Sequence, residues 1–328
     1  MQREKRSSAG ARAEPVRGWP GYAPLLLLIA LTVAVHANTI ANGFVWDDET
    51  IIVKNPLTRD LSHLGTVLLS PDQTPPYYRP LNRASYLVDH QVFGMDPRGF
   101  HAVNVVLQLG CVLALYAVAR RLFDRRFPAF VAAALLAVHP LGVEAVAFVS
   151  ARNNLFALLF ALISFALFID AVRGRGWAWS WMSGAAFLLA MLSKEPGAML
   201  LPVLVGWTAL QRRDGVPLAP QLRLLVPHVI GVAVYAVLRT IALGGPVAGG
   251  SAAGEVTPSL LERLAVNAYT IPRYLGIVLF PKDLAIYRTL PEGSIWSLPW
   301  LVPAWIAIGA VLAALVWRRT IASATGLL

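Results

Sequence analysis

The chain has 328 residues, of which 57% are hydrophobic and 14% are charged, and its mean hydropathy is +0.60. A typical soluble domain carries about 25% charged residues, so this composition excludes an ordinary soluble protein and indicates a polytopic membrane protein. The net charge of +10 does not predict a nucleic-acid partner, because most Lys and Arg residues flank apolar segments. Cys111, the only cysteine, cannot form an intramolecular disulfide.

Nine apolar stretches approach the length that crosses a bilayer core of about 30 Å, and they lie at about 22–41, 101–120, 127–149, 153–171, 177–193, 197–211, 222–242, 264–280 and 298–317. Basic residues such as Arg120, Arg121 and Arg173 mark alternate ends, which the positive-inside rule places in the cytoplasm. We therefore expect a basic cytoplasmic tail over 1–21 and one membrane domain over 22–328. Outer loops follow at 38–98 and at about 243–263.

The stretch 264–280 breaks this alternation. If it crossed the membrane, Arg318 and Arg319 would lie outside, and it carries polar residues and Pro272. We predict that it is re-entrant or lies along the outer surface, which gives an all-α bundle of eight spans with both termini inside. Nine spans remain the alternative. The first stretch could also be a signal peptide ending near Val35-His36-Ala37, but its long basic lead favours a retained anchor.

The outer loop 38–98 begins close to the membrane and carries Asp47 and Asp48. Carboxylates held at this depth suit the deprotonation of a hydroxyl group, and they could also hold Mg²⁺ or Mn²⁺. The alternative is a solvated acidic loop that caps a helix. Further along, apolar residues recur at helical spacing and predict short amphipathic helices in the interface: Leu61, Leu64 and Leu68, then Leu81, Ala84, Ser85, Val88 and Val92.

Several polar side chains interrupt the apolar stretches. A charge at the bilayer centre costs about 2.5–3.5 kcal/mol, so Lys194 and Glu195 need mutual pairing or a wet cavity. Each such residue has a structural alternative, as a helix-ending ion pair, a packing residue or a headgroup anchor. Under the predicted topology, however, all of the following reach the outer face and indicate one cavity: Asp47, Asp48, Arg79, His101, His139, Glu144, Arg152, Lys194 and Glu195. Asn104 shares a helix face with His101. No two histidines have the spacing of a metal site.

From about residue 40 to 290 the chain resembles the membrane part of the transmembrane and tetratricopeptide-repeat O-mannosyltransferases. These are polytopic glycosyltransferases that use lipid-phosphate sugars. No tetratricopeptide pattern follows here, and the chain stops soon after Arg318. The resemblance rests on Phe44-Val45-Trp46-Asp47-Asp48, Tyr78-Arg79-Pro80-Leu81, Phe100-His101-Ala102-Val103-Asn104, Val138-His139-Pro140 with Glu144, Ser150-Ala151-Arg152-Asn153, Ser193-Lys194-Glu195-Pro196, and Leu279-Phe280-Pro281 with Leu284 and Tyr287.

The resemblance implies transfer of a sugar, expected to be mannose, from a polyprenyl phosphate to a hydroxyl acceptor such as protein Ser or Thr. It assigns catalysis to Asp47 and Asp48 and implies inversion at the outer face. Retention would need a second carboxylate as nucleophile, for which Glu144 is the candidate. Residues expected to bind the donor phosphate or substrate are Arg79, His101, Asn104, His139, Glu144, Arg152, Lys194, Glu195 and Tyr287.

Two other classes of function stay open. A transporter or flippase for a lipid-linked or polar solute would also place charges in a cavity, although the chain shows no two similar halves with paired broken helices. A non-catalytic membrane scaffold would keep the fold and tolerate the loss of Asp47. Incubation with labelled polyprenyl-phosphate sugars separates these classes, because only the enzyme transfers or hydrolyses the sugar.

Overall fold

The structure is a computed structural model that describes residues 21–71, 77–211, 218–245, 259–282, 284–285, 300–310 and 313–314. These residues form helices and connecting turns and contain no strand, which agrees with the predicted all-α class. The α-helices are α1 (Ala23–His36), α2 (Leu64–Leu69), α3 (Pro80–Phe93), α4 (Pro97–Phe123), α5 (Arg126–Val138), α6 (Gly142–Ala147), α7 (Arg152–Asp170), α8 (Trp177–Ser193), α9 (Leu200–Gln211), α10 (Leu218–Arg223), α11 (Val226–Leu243) and α12 (Leu260–Leu279).

Apolar helices of membrane-spanning length recur along the described part of the chain. Four segments qualify by length and composition, namely Ala23–Ala41, Pro97–Phe123, Val149–Arg175 and Ala219–Leu243. Shorter apolar helices occupy Arg126–Val138 and Leu301–Ala310. A multi-pass helical membrane protein is therefore confirmed in outline, whereas the count of eight to nine spans and the orientation stay predictions.

The core begins where α1, α4 and α5 pack together. Ala129, Ala133 and Ala137 recur at every fourth position of α5 and so share one face of that helix. All three are fully buried in a cluster with Leu28 of α1 and Val112 of α4. Small side chains allow helix backbones to approach closely in a membrane, where dispersion contacts drive association.

Polar contacts join α7, α8 and α11. The Ser183 hydroxyl donates to the carbonyl oxygen of Ser164 (2.7 Å) and lies 2.8 Å from Nε2 of His228. All three residues are fully buried, and the His228 ring packs edge-on against Phe168. Because no water competes inside a bilayer, these bonds fix how the three helices sit against each other.

The predicted span 127–149 is interrupted in the structure. Helix α5 ends at Val138, His139 is extended (φ −67°, ψ 127°), and a separate short helix, α6, follows at Gly142–Ala147. The sequence predicts a bend at Pro140, but the proline also disfavours helical geometry at the residue before it. The helix therefore ends at this point instead of bending.

Helices α2 and α3 lie within the segment 38–98, and α3 turns its polar residues inward. The location of both helices at the outer membrane interface stays a prediction. Val88 and Val92 are exposed, whereas Asn82, Arg83 and Asp89 are buried. The buried side of α3 therefore supplies polar partners to the helix bundle. Its exposed apolar residues suit contact with the membrane interface.

Helix α12 covers the stretch predicted to be re-entrant or interfacial. It starts at a capping box in which Ser259 and Glu262 bond each other's backbone N–H groups, and it contains Pro272. The imidazole Nε2 of His139 lies 2.9 Å from the carbonyl oxygen of Val278, so α12 rests against the break after α5. Its position relative to the membrane stays a prediction.

Candidate active site

The turn that carries the two aspartates gives them different environments. Asp48 is fully buried, and its carboxylate accepts bonds from the backbone N–H groups of Val45 (3.1 Å) and Ser150 (2.7 Å) and from the Ser150 hydroxyl. Asp47 is exposed. Trp46 has a φ of 54°, a region that bulky side chains seldom enter. The Asp48 contacts thus hold a strained turn that presents Asp47 at the surface.

Arg152, which the sequence places near the donor phosphate, is enclosed by protein. Its side chain is fully buried, and its guanidinium donates to Asn104 Oδ1 (2.7 Å), Ser85 Oγ (3.0 Å), Asp89 Oδ2 (2.5 Å) and the Phe100 carbonyl (2.8 Å). These bonds use four of the five N–H donors of an arginine. This environment does not support phosphate binding by Arg152 and indicates a structural ion pair with Asp89.

His101 and Asn104 share one buried face of α4, as their spacing predicts. Asn104 Nδ2 donates to the carbonyl oxygens of Val146 (3.1 Å) and Phe148 (3.3 Å), and His101 Nε2 lies 3.3 Å from the carbonyl oxygen of Gly43. The pair therefore joins α4 to the chain just before the aspartate turn and to the segment from α6 to Phe148. A direct contact of either residue with substrate stays a prediction.

Arg79, Lys194 and Glu195 form a second polar cluster. Arg79 holds Glu195 Oε2 through Nε (3.1 Å) and Nη2 (2.9 Å), and its guanidinium lies 4.2 Å from the centre of the Tyr77 ring. Lys194 Nζ donates instead to Asn154 Oδ1 (2.5 Å). The sequence predicts either mutual pairing of Lys194 and Glu195 or a wet cavity around them, and in the structure each side chain has a different hydrogen-bond partner.

Lys194 keeps binding capacity for an anion. Its ammonium has three N–H donors, of which one is used by Asn154, and within the described residues it makes no ion pair. It lies outside the four candidate spans. Burial lowers the pKa of Lys194 and the charge of Arg79 lowers it further, whereas Glu195 and Glu144 raise it. An anion bound here would stabilise the charged form.

A cavity of about 450 Å³ lies beside the aspartate turn. It is lined by Trp46 of the turn, Pro140 and Glu144 of the segment after α5, and Tyr274 and Ile277 of α12, among others. Glu144 is exposed and is the only charged residue among the described residues that line it. The cavity is therefore mostly apolar with a single acidic group.

Two smaller cavities, of about 260 and 360 Å³, share Asn154 and Leu158 of α7. The smaller one contains His139, and the larger one extends from Lys194 past Val203 of α9. Val203 and Leu158 are exposed on the outer surface of the bundle. We call these two neighbouring cavities the α7 groove; most of the side chains that line it are apolar, and Lys194 lies in the lining of the larger cavity.

The pair of helices α4 and α7 carries a polar network near the first residues of both helices and arginines near the last residues of both. Near their starts, Arg152 of α7 bonds Asn104 of α4. Near their ends, Arg121 of α4 bonds Asp170 of α7 through Nε (3.2 Å) and Nη2 (3.0 Å). The candidate site and the arginine-rich ends thus lie at opposite ends of the same helix pair.

The sequence reading missed several residues of these networks. Asp89 and Ser150 hold Arg152 and Asp48, and Tyr235 packs beside Tyr78 with ring centres 6.1 Å apart. Asn82, Tyr86 and Asp89 recur at helical spacing, and this stripe was a signal for a buried polar face. A lone tyrosine inside an apolar stretch gives no such signal.

Two further predictions concern Tyr287 as a substrate-binding residue and a bound metal ion. Tyr287 lies outside the described residues. In the described part of the chain, no group of three or more His, Cys, Asp or Glu side chains could hold a metal ion. Both carboxylate oxygens of Asp48 already accept hydrogen bonds, and a metal ion at Asp47 and Asp48 stays a prediction.

Comparison with known proteins identifies the relatives of this chain. Residues 87–239 match the model of the dolichyl-phosphate-mannose-protein mannosyltransferase family. The chain is a relative of the protein O-mannosyltransferases. Protein O-mannosyl-transferase TMTC2 of Homo sapiens is 31% identical over 195 residues, which is 54% of this chain and 23% of that protein. Protein O-mannosyl-transferase Tmtc2 of Drosophila melanogaster is 29% identical over 279 residues, 79% of this chain and 30% of that protein.

The predicted resemblance to the O-mannosyltransferases is therefore confirmed. Protein O-mannosyl-transferase F38B6.6 of Caenorhabditis elegans is a further relative, 29% identical over 56% of this chain and 28% of its own length. The chain thus spans less than a third of the length of these relatives. No solved structure shows a significant match.

Proposed function

We propose that this chain transfers mannose from a polyprenyl-phosphate donor to a hydroxyl group of a protein acceptor. The relation to the protein O-mannosyltransferases supports this reaction class. The observation that carries the proposal is the exposed Asp47 carboxylate beside a cavity, on a turn held by buried Asp48. The reaction takes place at the outer membrane face, and the N-terminus is cytoplasmic.

Asp47 acts as the general base in this proposal. The acceptor hydroxyl passes its proton to Asp47 while its oxygen attacks the anomeric carbon of the sugar. The bond from that carbon to the phosphate oxygen breaks, and polyprenyl phosphate leaves with the bonding electron pair. A single displacement of this kind inverts the anomeric configuration. A positioned base contributes about a hundred- to ten-thousandfold in rate.

The donor lies in the α7 groove. Its phosphate meets the unused N–H donors of Lys194, and its apolar chain follows Leu158 and Val203, which are exposed on the outer surface of the bundle. A cation at this point neutralises the charge that develops on the leaving phosphate. Arg79 contributes a second positive charge near Lys194.

The acceptor lies in the cavity beside Trp46. Glu144 is the only charged described residue of its lining, so the cavity repels an anionic lipid phosphate and suits a neutral or cationic peptide segment. A retaining mechanism would use Glu144 as the nucleophile. The anomeric configuration of the product distinguishes the two mechanisms, since retention leaves it unchanged.

The decisive experiment uses the full chain purified in detergent and incubated with labelled polyprenyl-phosphate mannose and a Ser/Thr-containing peptide. We expect labelled peptide with inverted configuration. Asp47→Asn should lower turnover at least about a hundredfold at an unchanged yield of folded protein. Normal turnover by Asp47→Asn would refute its role as the base.

Controls separate the other classes of function. A transporter or flippase moves the labelled lipid between leaflets of a vesicle without forming labelled peptide, and a scaffold does neither. Orientation has its own test, in which a reporter fused after Arg175 stays cytoplasmic and one inserted beside Pro71 is outside. A cytoplasmic reporter at Pro71 would contradict the assignment of the site to the outer face.

A further inference from the structure

Two buried polar atoms, one on Tyr235 and one on Glu195, have no hydrogen-bond partner. Tyr235 of α11 is 7% exposed, and its hydroxyl makes no hydrogen bond. Arg79 holds Oε2 of Glu195, whereas Oε1 of the same carboxylate is buried without a partner. The Tyr235 ring lies 6.1 Å from the ring of Tyr78, and the next residue in the chain, Arg79, holds Glu195. The two unpartnered atoms therefore belong to one polar neighbourhood.

Unpartnered buried groups are unusual, because each one loses its bonds to water without replacement. The neighbouring Tyr78 shows the ordinary arrangement: it is 1% exposed, and its hydroxyl donates to the carbonyl oxygen of Leu68 at 2.7 Å. Tyr235 and Glu195 thus offer one donor and one acceptor that the protein alone leaves unused.

A ligand hydroxyl is chemically complementary to this pair of groups. A hydroxyl can donate to a carboxylate and accept from a phenol at the same time, whereas a phosphate would be repelled by Glu195. Lys194 and Arg79, beside the pair, offer positive charge to an adjoining phosphate. The required ligand therefore joins a hydroxyl-rich group to a phosphate.

We infer that Glu195 and Tyr235 bind a hydroxyl group of the donor sugar, and so form the subsite that distinguishes a sugar-bearing lipid phosphate from the bare one. This inference rests on the proposed function, since it takes the donor to be a sugar linked to a polyprenyl phosphate. Tyr235 is then a binding residue that selects the sugar.

The test measures binding of polyprenyl-phosphate mannose and of polyprenyl phosphate to the full chain in lipid nanodiscs. The unmodified protein should bind the mannose-bearing lipid about tenfold more tightly. Tyr235→Phe removes only the hydroxyl, so it should abolish most of this difference and leave the affinity for the bare lipid unchanged. Deoxy analogues of the donor identify the hydroxyl, because the analogue that lacks it binds both proteins equally.

Tyr78→Phe is the matched control. It removes a bonded hydroxyl, so it should lower the melting temperature and keep the preference for the mannose-bearing lipid. Tyr235→Phe should keep or raise the melting temperature, since it removes an unpartnered group. An undiminished preference in Tyr235→Phe, or no preference in the unmodified protein, would overturn the inference and leave the pair as a site for bound water only. Absence of sugar transfer would overturn the proposed function alone, because binding is measured separately.

Discussion

Replacement of Arg152 by glutamine should destabilise the fold before it affects the chemistry. The change leaves Asp89 in a buried site without its ion-pair partner, which costs about 3–5 kcal/mol. It also removes the N–H groups that donate hydrogen bonds to Asn104 Oδ1 and to the Phe100 carbonyl oxygen. Folded proteins are typically stable by about 5–15 kcal/mol, so we expect a large loss of folded protein.

The matched control is Arg121→Gln at the opposite end of the same two helices. Its side chain is 30% exposed, and Asp170 keeps Arg175 at 3.5 Å, so the change should cost about 1 kcal/mol or less. Both variants are extracted in detergent, heated and passed over a size-exclusion column with fluorescence detection. Lys194→Met should resemble Arg121→Gln in stability but lose donor affinity.

The result that would refute this reasoning is a stable Arg152→Gln protein with weakened donor binding. That outcome would return Arg152 to the donor phosphate, as the sequence alone suggests. The double variant that combines Arg152→Gln with Lys194→Met provides a second check. The two residues lie in separate networks, so their effects on stability should add, whereas two ligands of one phosphate would show strongly non-additive effects on donor binding.

Three further changes have defined outcomes. Asp48→Asn should lower stability by about 1–3 kcal/mol, because an amide cannot accept at both of its ends, and turnover per folded molecule should fall less than in Asp47→Asn. Gly197→Ala should destabilise the protein in a melting assay, since its Cβ would lie 2.7 Å from a backbone carbonyl of α8, whereas Gly206→Ala has open space and should be neutral or stabilising. Burial raises the pKa of Asp89, and Arg152 lowers it in part. The contribution of Asp89 to the stability of the fold is therefore fully present below its ordinary pKa of 3.8 and is lost as pH rises through the raised pKa. Asp89→Asn should therefore flatten the stability profile in the acid range.

The helices could be predicted from the sequence because the pattern that specifies them is local. The stretch 177–193 coincides with α8, and 153–171 differs from α7 by one residue at each end. The end of α5 at Val138 was harder to predict from the sequence, because a proline within an apolar run is compatible with either a bend or a break in the helix. Local patterns do not decide between these two outcomes.

The partners of the site residues could not be predicted, because they depend on long-range contacts. Arg79 and Glu195 are separated by 116 positions in the chain, and Asp48 and Ser150 by 102. The sequence predicts that such residues gather at one end of the bundle. It cannot say which carboxylate is enclosed and which is exposed, because that depends on how closely the helices approach.

The adjacent aspartates illustrate how the fold assigns different tasks to identical side chains. Neighbouring residues of a tight turn project in different directions, so the contact that buries Asp48 against Ser150 also turns Asp47 toward solvent. Ser150 lies two residues before Arg152, which forms an ion pair with Asp89 of α3 and donates a hydrogen bond to the Phe100 carbonyl of α4. The outer loop is therefore tied to the bundle by buried polar bonds, whereas the groups assigned to the reaction, Asp47 and Lys194, keep unused hydrogen-bonding capacity. Such a division lets an exposed base remain positioned on a loop, because the strain of the turn is opposed by bonds that water cannot reach.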